Sequence, residues 1–496
     1  MKIKRISNML LTFVSLMTVL LVSCSNTVDK SVPEPITTSD ADVSVLVTTN
    51  LRSYDLTPDS CSFATGDNLS PHTITVDDQQ IYQTMDGFGA AITGSTSYNL
   101  MMMTPANRKA FLEETFSPTS GYGFSYVRVA IGCSDFSFSE YTCCDTKGID
   151  NFALTAEENE YVIPILKEII AINPDLKIMA TPWTCPKWMK VTNLTDLVPY
   201  DSWTGGELNP AYYDDYATYF VDWIEAFQSK GIAIYSITPQ NEPLNRGNSA
   251  SLYMAWEQEA DFINVLGPKL EAANLGVKVI AYDHNYNYDD IASQQDYPVN
   301  IYKTEAAKYV DGAAFHNYGG DRSELLRVHE AYPSKSLVFS ESSIGEWNAG
   351  RNLEARLIPD MEELGLGTVA NWCTGVIVWN LMLDNDRGPN REGGCQTCYG
   401  AVDISNDNYK SIIRNSHYYV IAHLAAVVKP GAVRIGTSGY APKEIALQAF
   451  KNTDGSYAIV ACNTSDESQE ITFSDGTHYF MYKMMMKSVV SLRWNK

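Results

Sequence analysis

The chain has 496 residues, of which 45% are hydrophobic, 11% aromatic and 19% charged. This composition predicts a folded protein and excludes a largely disordered one. The formal net charge of −23 argues against nucleic acid as a partner, because binding to phosphate groups depends on lysine and arginine.

The first 45 residues have the composition of a targeting segment followed by a tether. A basic start precedes the apolar stretch 9–22, and the segment ends in Leu-Val-Ser-Cys24. This pattern predicts a bacterial lipoprotein signal peptide over residues 1–23, with Cys24 as the lipid-modified first residue of the mature chain. A plain secretory signal with a chance cysteine is the alternative. Residues 24–45 are rich in Ser, Thr, Asp and Pro and predict a flexible tether, so we expect a protein anchored in the outer membrane, on its periplasmic side or at the cell surface.

Residues 83–410 alternate short apolar runs of β type with longer amphipathic helical patterns. Eight strands that alternate with helices predict a (β/α)8 barrel of the TIM type, in the α/β class. The predicted strands are Asp86–Ile92, Ser125–Ile131, Lys177–Trp183, Ile234–Pro239, Val277–Asp283, Gly312–Tyr318, Ser336–Glu341 and Gly375–Asn380. The clearest helical patterns cover Ala156–Ile172, Pro210–Ser229, Ala255–Ala273 and Asn352–Ala370.

The two ends of the chain have a different pattern from the barrel. Residues 411–496 contain short strands, such as Tyr457–Cys462, separated by Asn, Asp, Gly and Ser. They predict a C-terminal β-sandwich. Residues 46–82 contain similar runs, and we expect these N-terminal strands to join the same side domain.

Ten cysteines are present, and nine remain if Cys24 is acylated, so at least one has no intramolecular disulfide partner. The adjacent Cys143 and Cys144 and the pair Cys395 and Cys398 could form a metal site in principle. Loop disulfides or buried thiols fit an oxidising compartment better, and the spacing leaves the connectivity open.

Polar and aromatic residues follow almost every predicted barrel strand, at the end where such barrels place their active sites. Glu242 follows the fourth strand and Glu341 the seventh, and these two strands lie nearly across the barrel mouth from each other. Glycoside hydrolysis needs such a carboxyl pair, about 5–5.5 Å apart where the anomeric configuration is retained. Candidate platforms for sugar rings are the aromatic residues Trp183, Tyr318, Trp347 and Trp379.

The ordered motifs of this region resemble glycoside hydrolase family 30, a family of retaining enzymes that includes glucosylceramidases and microbial β-1,6-glucanases. The resemblance covers about residues 84–430. The motifs that carry it are Asp86–Ala91, Val127–Val129, Cys133–Ser137, Thr181–Trp188, Gln240–Pro243, Phe315–Tyr318, Phe339–Glu341, Val378–Asn380 and Gly388–Asn390.

The resemblance implies a role for each matching residue. Glu242 is the expected acid/base and Glu341 the expected nucleophile. Closeness of the two carboxylates would raise the pKa of Glu242, and Arg128 beside Glu341 would keep the latter ionised. The residues expected to hold the sugar are Asp135, Trp183, Asn241 and Trp379. His316 and Tyr318 are expected to support Glu341 and to line the cleft. For His284 and Asn285, a leaving-group subsite and a structural role remain equally open.

The resemblance also implies a β-glucan substrate and neither a metal nor a cofactor. Because an anchored extracytoplasmic enzyme meets polysaccharide more often than sphingolipid, we expect an endo-β-1,6-glucanase that acts as a monomer. An exo-β-glucosidase of the glucosylceramidase type is the alternative. A surface glycan-binding protein without catalysis and a metal-dependent hydrolase built on the cysteine pairs are weaker alternatives.

Overall fold

The computed structural model describes residues 41–65, 69–286 and 291–495. The predicted signal peptide, Cys24 and most of the predicted tether lie outside these residues. Among the described helices, none has both the length and the apolar character that crossing a membrane requires.

The helices of the described residues are α1 Gly94–Met102, α2 Pro105–Phe116, α3 Ile163–Ile172, α4 Tyr213–Ser229, α5 Trp256–Ala272, α6 Tyr297–Tyr302, α7 Ser323–Ala331, α8 Leu353–Asp360, α9 Thr368–Ala370 and α10 Ser416–Val427. The first twelve strands are β1 Val43–Thr49, β2 Thr57–Cys61, β3 Thr73–Thr84, β4 Gly87–Ala90, β5 Tyr126–Ala130, β6 Lys177–Thr181, β7 Lys190–Val191, β8 Glu207–Leu208, β9 Ser236–Ile237, β10 Lys278–Asn285, β11 Gly312–His316 and β12 Ser336–Glu341. The others are β13 Ile344–Gly345, β14 Cys373–Val378, β15 Met382–Asp384, β16 Cys398–Tyr399, β17 Val402–Ile404, β18 Ile412–Arg414, β19 Val433–Gly439, β20 Ile445–Lys451, β21 Tyr457–Asn463, β22 Gln469–Ser474, β23 Tyr479–Met484 and β24 Ser488–Trp494.

Eight parallel strands form the barrel in the order β4-β14-β12-β11-β10-β9-β6-β5. A parallel bridge between Ala91 and Arg128 joins the two ends of this order and closes the sheet. Each of the eight predicted runs overlaps one of these strands, which confirms the predicted barrel. Six runs contain the whole strand, whereas β10 continues two residues beyond its run and β14 begins two residues before its run. The runs are apolar because a barrel strand is buried on both faces, by the barrel interior and by the outer helices.

The predicted helices lie outside the barrel and pack their apolar faces inward. In α4, Tyr216, Phe220 and Trp223 are fully buried at the spacing of one helix face. The pattern predicted as one helix over Asn352–Ala370 is α8, a π-helical segment and α9 in succession.

The side domain is built from both ends of the chain, which confirms the predicted architecture. Strands β1, β2 and β3 combine with β19 to β24 in one nine-stranded sheet, in which β3 lies between β19 and β22. Residues from its distant parts, including Val45, Ile459, Phe473 and Trp494, share one apolar core. The sheet therefore folds over on itself as a sandwich.

The structure moves two of the predicted boundaries. Strand β1 begins at Val43, inside the stretch 24–45 that was assigned to the tether. Helix α10 lies inside the stretch 411–496 assigned to the sandwich, and it is buried along its whole length. Because α10 packs on α8, on β4 of the barrel and on β24 of the sheet, its sequence is apolar on all sides and shows no helical stripe.

His423 of α10 connects the helix to the side sheet through both ring nitrogens. Its Nδ1 lies 2.8 Å from Ser491 Oγ and its Nε2 lies 2.9 Å from Thr48 Oγ1. Ser491 Oγ donates to the backbone carbonyl of His423, so Nδ1–H is the donor to this hydroxyl and Nε2 accepts from Thr48. Burial lowers the pKa of His423 to about 3, so the ring is neutral at pH 7.

We expect His423→Leu to lower the free energy of unfolding at pH 7 by about 1–3 kcal/mol, because the buried Thr48 hydroxyl loses its acceptor and the buried Ser491 hydroxyl loses one donor. Since the pKa of His423 is lowered in the folded state, its contribution is complete above the unfolded value of about 6.5 and is lost as the pH falls toward 3. The variant should therefore also lose less stability than the wild type between pH 6.5 and pH 4. Denaturant unfolding at several pH values measures both effects, and His72→Leu on the exposed surface is the control. Equal pH slopes in the two variants would contradict this assignment.

Candidate functional site

The carboxyl ends of the barrel strands bring five charged or titratable side chains into one buried cluster. Its members are Arg128 of β5, Glu242 after β9, Asp283 of β10, His316 of β11 and Glu341 of β12. None is more than 6% exposed, so each charge needs a partner inside the cluster.

Arg128 is fully buried and joins three of the side chains around it. Its Nη1 donates to Glu341 Oε2, and its Nη2 donates to Asp283 Oδ2 and Asn241 Oδ1, both at 2.7 Å. Burial would lower the pKa of Arg128, but the charges of Asp283 and Glu341 raise it. The bond to Asn241 fixes the orientation of the amide, so its oxygen is engaged with the guanidinium and its nitrogen can serve a ligand oxygen.

Asp283 accepts hydrogen bonds from five side chains, and its carboxylate has no exposed surface. The donors are Arg128 Nη2 at 2.7 Å, His316 Nε2 at 3.0 Å, Ser340 Oγ at 2.6 Å, Thr238 Oγ1 at 2.8 Å and Thr181 Oγ1 at 3.2 Å. Burial raises the pKa of Asp283, but the charge of Arg128 and these hydrogen bonds outweigh it and lower the pKa well below the usual range. Asp283 is thus a fixed anion.

Glu242 contacts His316 through one oxygen and two loop amides through the other. Its Oε1 lies 3.2 Å from His316 Nδ1, and its Oε2 accepts from Asn245 Nδ2 at 2.8 Å and Asn248 Nδ2 at 2.7 Å. Burial raises the pKa of Glu242, but the hydrogen bond from His316 and the other donors lower it to about 2. Burial lowers the pKa of His316, but the Glu341 charge and the bonds to Asp283 and Glu242 raise it to about 9.

Glu341 lies opposite Glu242 and is held by Arg128 and by the Tyr318 hydroxyl, which donates to its Oε1 at 3.0 Å. Burial raises the pKa of Glu341, against the opposing charges of His316 and Arg128. The expectation that the pair would raise the pKa of Glu242 is wrong for this arrangement, because the nearby imidazole acts more strongly than the second carboxylate.

The distance between the two carboxylates is short. One oxygen of Glu242, one of Glu341 and a ring nitrogen of His316 all lie within 4.8 Å of one another. Three such atoms could also coordinate a metal ion. This would require His316 to lose a proton first, because a protonated imidazole nitrogen has no lone pair for a metal. The spacing agrees with the pair of a retaining glycosidase and is shorter than the 6.5–9.5 Å of an inverting one.

Aromatic residues lie beside the charged cluster. Trp183 and Trp379 stack with ring centroids 5.0 Å apart, and the Arg128 guanidinium lies 5.0 and 5.4 Å from their centroids. Both indoles are only 2% exposed, so they form the floor of the site. The other two aromatic residues that the sequence predicted as sugar platforms are exposed, Tyr318 at 43% and Trp347, on the turn after β13, at 55%.

Asp135 lies in the loop after β5, close enough to both glutamates for their charges to act on it. Burial and the charge of Glu341 raise the pKa of Asp135 to about 8. Its Oδ1 is buried and meets no hydrogen-bond partner among the described residues. A carboxyl group in this state fits a ligand hydroxyl as its missing partner.

Arg391 fastens the loops that carry this part of the site. It donates to the backbone oxygens of Ser134 and Ser249 at 3.0 and 2.6 Å, and to Glu140 Oε1 at 2.9 Å. A few residues further along, Cys395 and Cys398 form a disulfide, which agrees with the preference for loop disulfides over a metal site. Cys143 and Cys144 are buried thiols.

The structure brings together nine of the ten residues that the sequence predicted for this site, and the tenth, Trp347, lies on the exposed turn after β13. Tyr318 supports Glu341 as expected, whereas the hydrogen bond of His316 goes to Glu242. The sequence did not assign Asp283, Ser340, Asn245, Asn248 or Arg391 to the site. Asp283 could have been found, because it ends a predicted barrel strand as Glu341 does. His284 is buried beside it, and the amide oxygen of Asn285 accepts from the backbone N–H of Tyr318 at 3.1 Å, which gives Asn285 a structural task.

Comparison with known proteins gives matches along most of the chain. Residues 85–428 match the model described as "Glycosyl hydrolase family 30 TIM-barrel domain", and residues 431–492 match "Glycosyl hydrolase family 30 beta sandwich domain". A solved structure titled "The endo-beta1,6-glucanase BT3312" is 64% identical, covers 92% of this chain and 99% of its own, and superimposes with a TM-score of 0.90.

More distant relatives have two different activities in their names. An endo-1,6-beta-D-glucanase of Neurospora crassa is 30% identical over 421 residues, 81% of each chain. The lysosomal acid glucosylceramidase of Mus musculus is 26% identical over 431 residues, 81% of this chain and 79% of its own.

Proposed function

The chain belongs to glycoside hydrolase family 30, and on that premise we propose that it is an endo-β-1,6-glucanase that retains the anomeric configuration. The observation that carries the proposal is the buried carboxylate pair, whose oxygens approach within 4.8 Å across the barrel mouth. The linkage is supported by the 64% identity to an endo-β-1,6-glucanase over nearly the whole of that chain.

In the proposed reaction Glu341 is the nucleophile and Glu242 the acid/base. Glu341 attacks the anomeric carbon while the glycosidic bond breaks, and Glu242 gives a proton to the leaving oxygen. Water then attacks the glycosyl-enzyme, Glu242 takes one of its protons, and Glu341 leaves as a carboxylate. The hydrogen bonds from Arg128 and Tyr318 hold Glu341 in place and stabilise its ionised form.

The sugar at the point of cleavage would rest on the tryptophan floor. Asn241, oriented by Arg128, is placed to donate from its amide nitrogen to the 2-hydroxyl. Asp135 offers a buried oxygen without a partner in the described residues to a second hydroxyl. The exposed ring of Tyr318 lines the entrance. The His316 ring lies within hydrogen-bond distance of Glu242, and among the described contacts it forms no hydrogen bond to Glu341.

An exo-β-glucosidase of the glucosylceramidase type is the second candidate, and the similarity to the mouse enzyme favours it. A glycan-binding protein without catalysis would need the floor and the exposed aromatic residues but no second carboxylate. The loops that distinguish these activities include Leu244–Ser251 and Asn385–Tyr399, the parts of the sequence that match the family motifs least.

We expect the purified chain to release oligosaccharides from pustulan, a β-1,6-glucan, before glucose accumulates. Glu242→Gln and Glu341→Gln should each lower the rate by a factor of 10² or more, because each removes a group that acts in the transition state. Chromatography of early products measures both. Glu346→Gln is the control, since this residue lies on the exposed turn beside Trp347 and contacts neither carboxylate in the described structure.

Parallel incubations with laminarin, gentiobiose and glucosylceramide separate the alternatives. Glucose as the first product from every small glucoside would identify an exo-β-glucosidase. Undiminished hydrolysis by either glutamine variant would refute the catalytic assignment. The first product should have the β configuration, and an α product would exclude the retaining mechanism.

We also propose that a lipid on Cys24 anchors the chain as a monomer to the bacterial outer membrane. The support is the basic start, the apolar stretch 9–22 and the Leu-Val-Ser-Cys24 ending. Expressed in a bacterium with labelled palmitate, the wild type should carry label in the membrane fraction. Cys24→Ser should be unlabelled, with Cys61→Ser as the control, and label retained by Cys24→Ser would disprove the anchor.

A further inference from the structure

His316 has a carboxylate at each of its two ring nitrogens. Glu242 Oε1 lies 3.2 Å from Nδ1, and Asp283 Oδ1 lies 3.0 Å from Nε2. A neutral imidazole carries one N–H and can donate to one carboxylate only. Two ionised carboxylates at these positions are therefore both satisfied only when the ring carries two protons, or when one carboxylate carries the proton itself.

We propose that His316 stores the proton which Glu242 delivers to the leaving oxygen, and that Asp283 is the fixed anion that keeps His316 charged between turnovers. The proposal rests on the proposed role of Glu242 as the acid. It gives His316 and Asp283 positioning and proton-holding tasks, since neither needs to touch the substrate.

The surroundings of Asp283 and Glu242 differ, and this difference sets the direction of proton transfer from His316. Asp283 is paired with Arg128 and accepts from five donors, so it has little capacity to accept a proton from Nε2. Among the described residues no arginine pairs with Glu242, and the partners of its other oxygen are the neutral amides of Asn245 and Asn248. Of the two neighbours, Glu242 is thus the one to which the imidazolium can release its proton.

The other charged or titratable groups near His316 are consistent with this direction. The charge of Glu341 favours the protonated ring. The ring of His284, 6.5 Å away between centroids, adds no positive charge at neutral pH because burial lowers its pKa to about 4. The ring of Tyr318, at 6.0 Å between centroids, is partly exposed, but its hydroxyl is buried against Glu341. Burial of the hydroxyl and the charge of Glu341 raise the pKa of Tyr318 well above the usual value, so this group stays neutral. Arg128 reaches His316 through Asp283.

The proton count closes over one turnover. The Nδ1 proton of His316 passes to Glu242 Oε1, and Glu242 then gives a proton to the leaving oxygen while Glu341 forms the bond to the anomeric carbon. Because Glu341 loses its charge as it forms this bond, the imidazolium of His316 is less stabilised. The transfer of its Nδ1 proton to Glu242 is therefore more favourable. In the second half, Glu242 takes a proton from the attacking water, Glu341 recovers its charge, and the proton returns from Glu242 to Nδ1.

The first test is the protonation state of His316, measured without turnover. Nitrogen-15 NMR of the histidine-labelled enzyme distinguishes rings with one and two protons, and the His316 signal is identified by its loss in His316→Gln and its response in Glu242→Gln. We expect two protons on this ring at pH 7. In Asp283→Asn the titration should move to lower pH by about one unit or more, because the nearest fixed anion is removed. Ser340→Ala, which removes one hydrogen bond to Asp283 but keeps its charge, should move it less.

The second test uses the pH dependence of kcat/KM. On pustulan, the alkaline limb of Asp283→Asn should shift to lower pH in parallel with the NMR titration. On an aryl β-glucoside whose leaving group needs no proton, His316→Gln and Asp283→Asn should lose at least tenfold less activity than on pustulan. A purely structural role predicts equal losses on both substrates and no shift of the limb.

Two results would overturn the inference. One is a His316 ring with a single proton at pH 7 in the wild type. This measurement does not depend on whether an Asp283 variant folds. The other is an unshifted alkaline limb in a folded Asp283→Asn. If instead Glu242→Gln hydrolysed pustulan at the wild-type rate, the proposed function would fail, whatever the NMR result.

Discussion

The buried ion pair between Arg128 and Asp283 is the interaction on which the rest of the site depends. Neither side chain is exposed, and their atoms approach to 2.7 Å. Removing one partner from such a pair leaves an uncompensated buried charge, at a cost of about 3–5 kcal/mol. The barrel interior can hold this pair because polar side chains from neighbouring strands satisfy the remaining donors and acceptors.

Hydrogen bonds connect this ion pair to both catalytic candidates, Glu341 and Glu242. Arg128 reaches Glu341 directly and fixes Asn241, while Asp283 reaches Glu242 through His316. The backbone takes part as well, because the N–H of Glu242 donates to the carbonyl of Asp283 at 2.9 Å. Both residues have positive φ, 45° and 58°, a conformation that non-glycine residues adopt at a cost and that is common at functional sites. The two strand ends thus direct the carboxyl groups of Glu242 and Asp283 at the imidazole of His316, at the cost of local backbone strain.

The pKa shifts describe a site in which Glu242 is ionised, although catalysis requires its protonated form. Three neighbours favour the anion, namely His316 and the amides of Asn245 and Asn248. A bound substrate must therefore favour the protonated form of Glu242. It can do so by displacing the amide donors or by drawing the proton from His316 to Glu242. The resulting pH dependence belongs to the coupled pair and to neither residue alone.

Much of this could be predicted from the sequence. Eight apolar runs marked the barrel strands because burial on both faces demands apolar residues, and the strand-end motifs placed Glu242, Glu341 and Arg128. The sequence could not show that β1 begins at Val43 or that α10 belongs between barrel and sheet, because a segment buried on all sides has no periodic signal. It also missed Asp283, whose importance comes from five hydrogen bonds formed by residues up to 155 positions away.

Covalent trapping tests whether Glu341 is the residue that attacks the anomeric carbon. A 2-deoxy-2-fluoro-β-glucoside with a good leaving group should inactivate the enzyme with one fluoroglucosyl group per chain, because the fluorine slows the second step. Mass spectrometry of the digested protein should place this group on Glu341, and Glu341→Gln should remain unmodified. An adduct on Asp135 or another residue, or inactivation without any covalent adduct, would show that Glu341 is not the nucleophile.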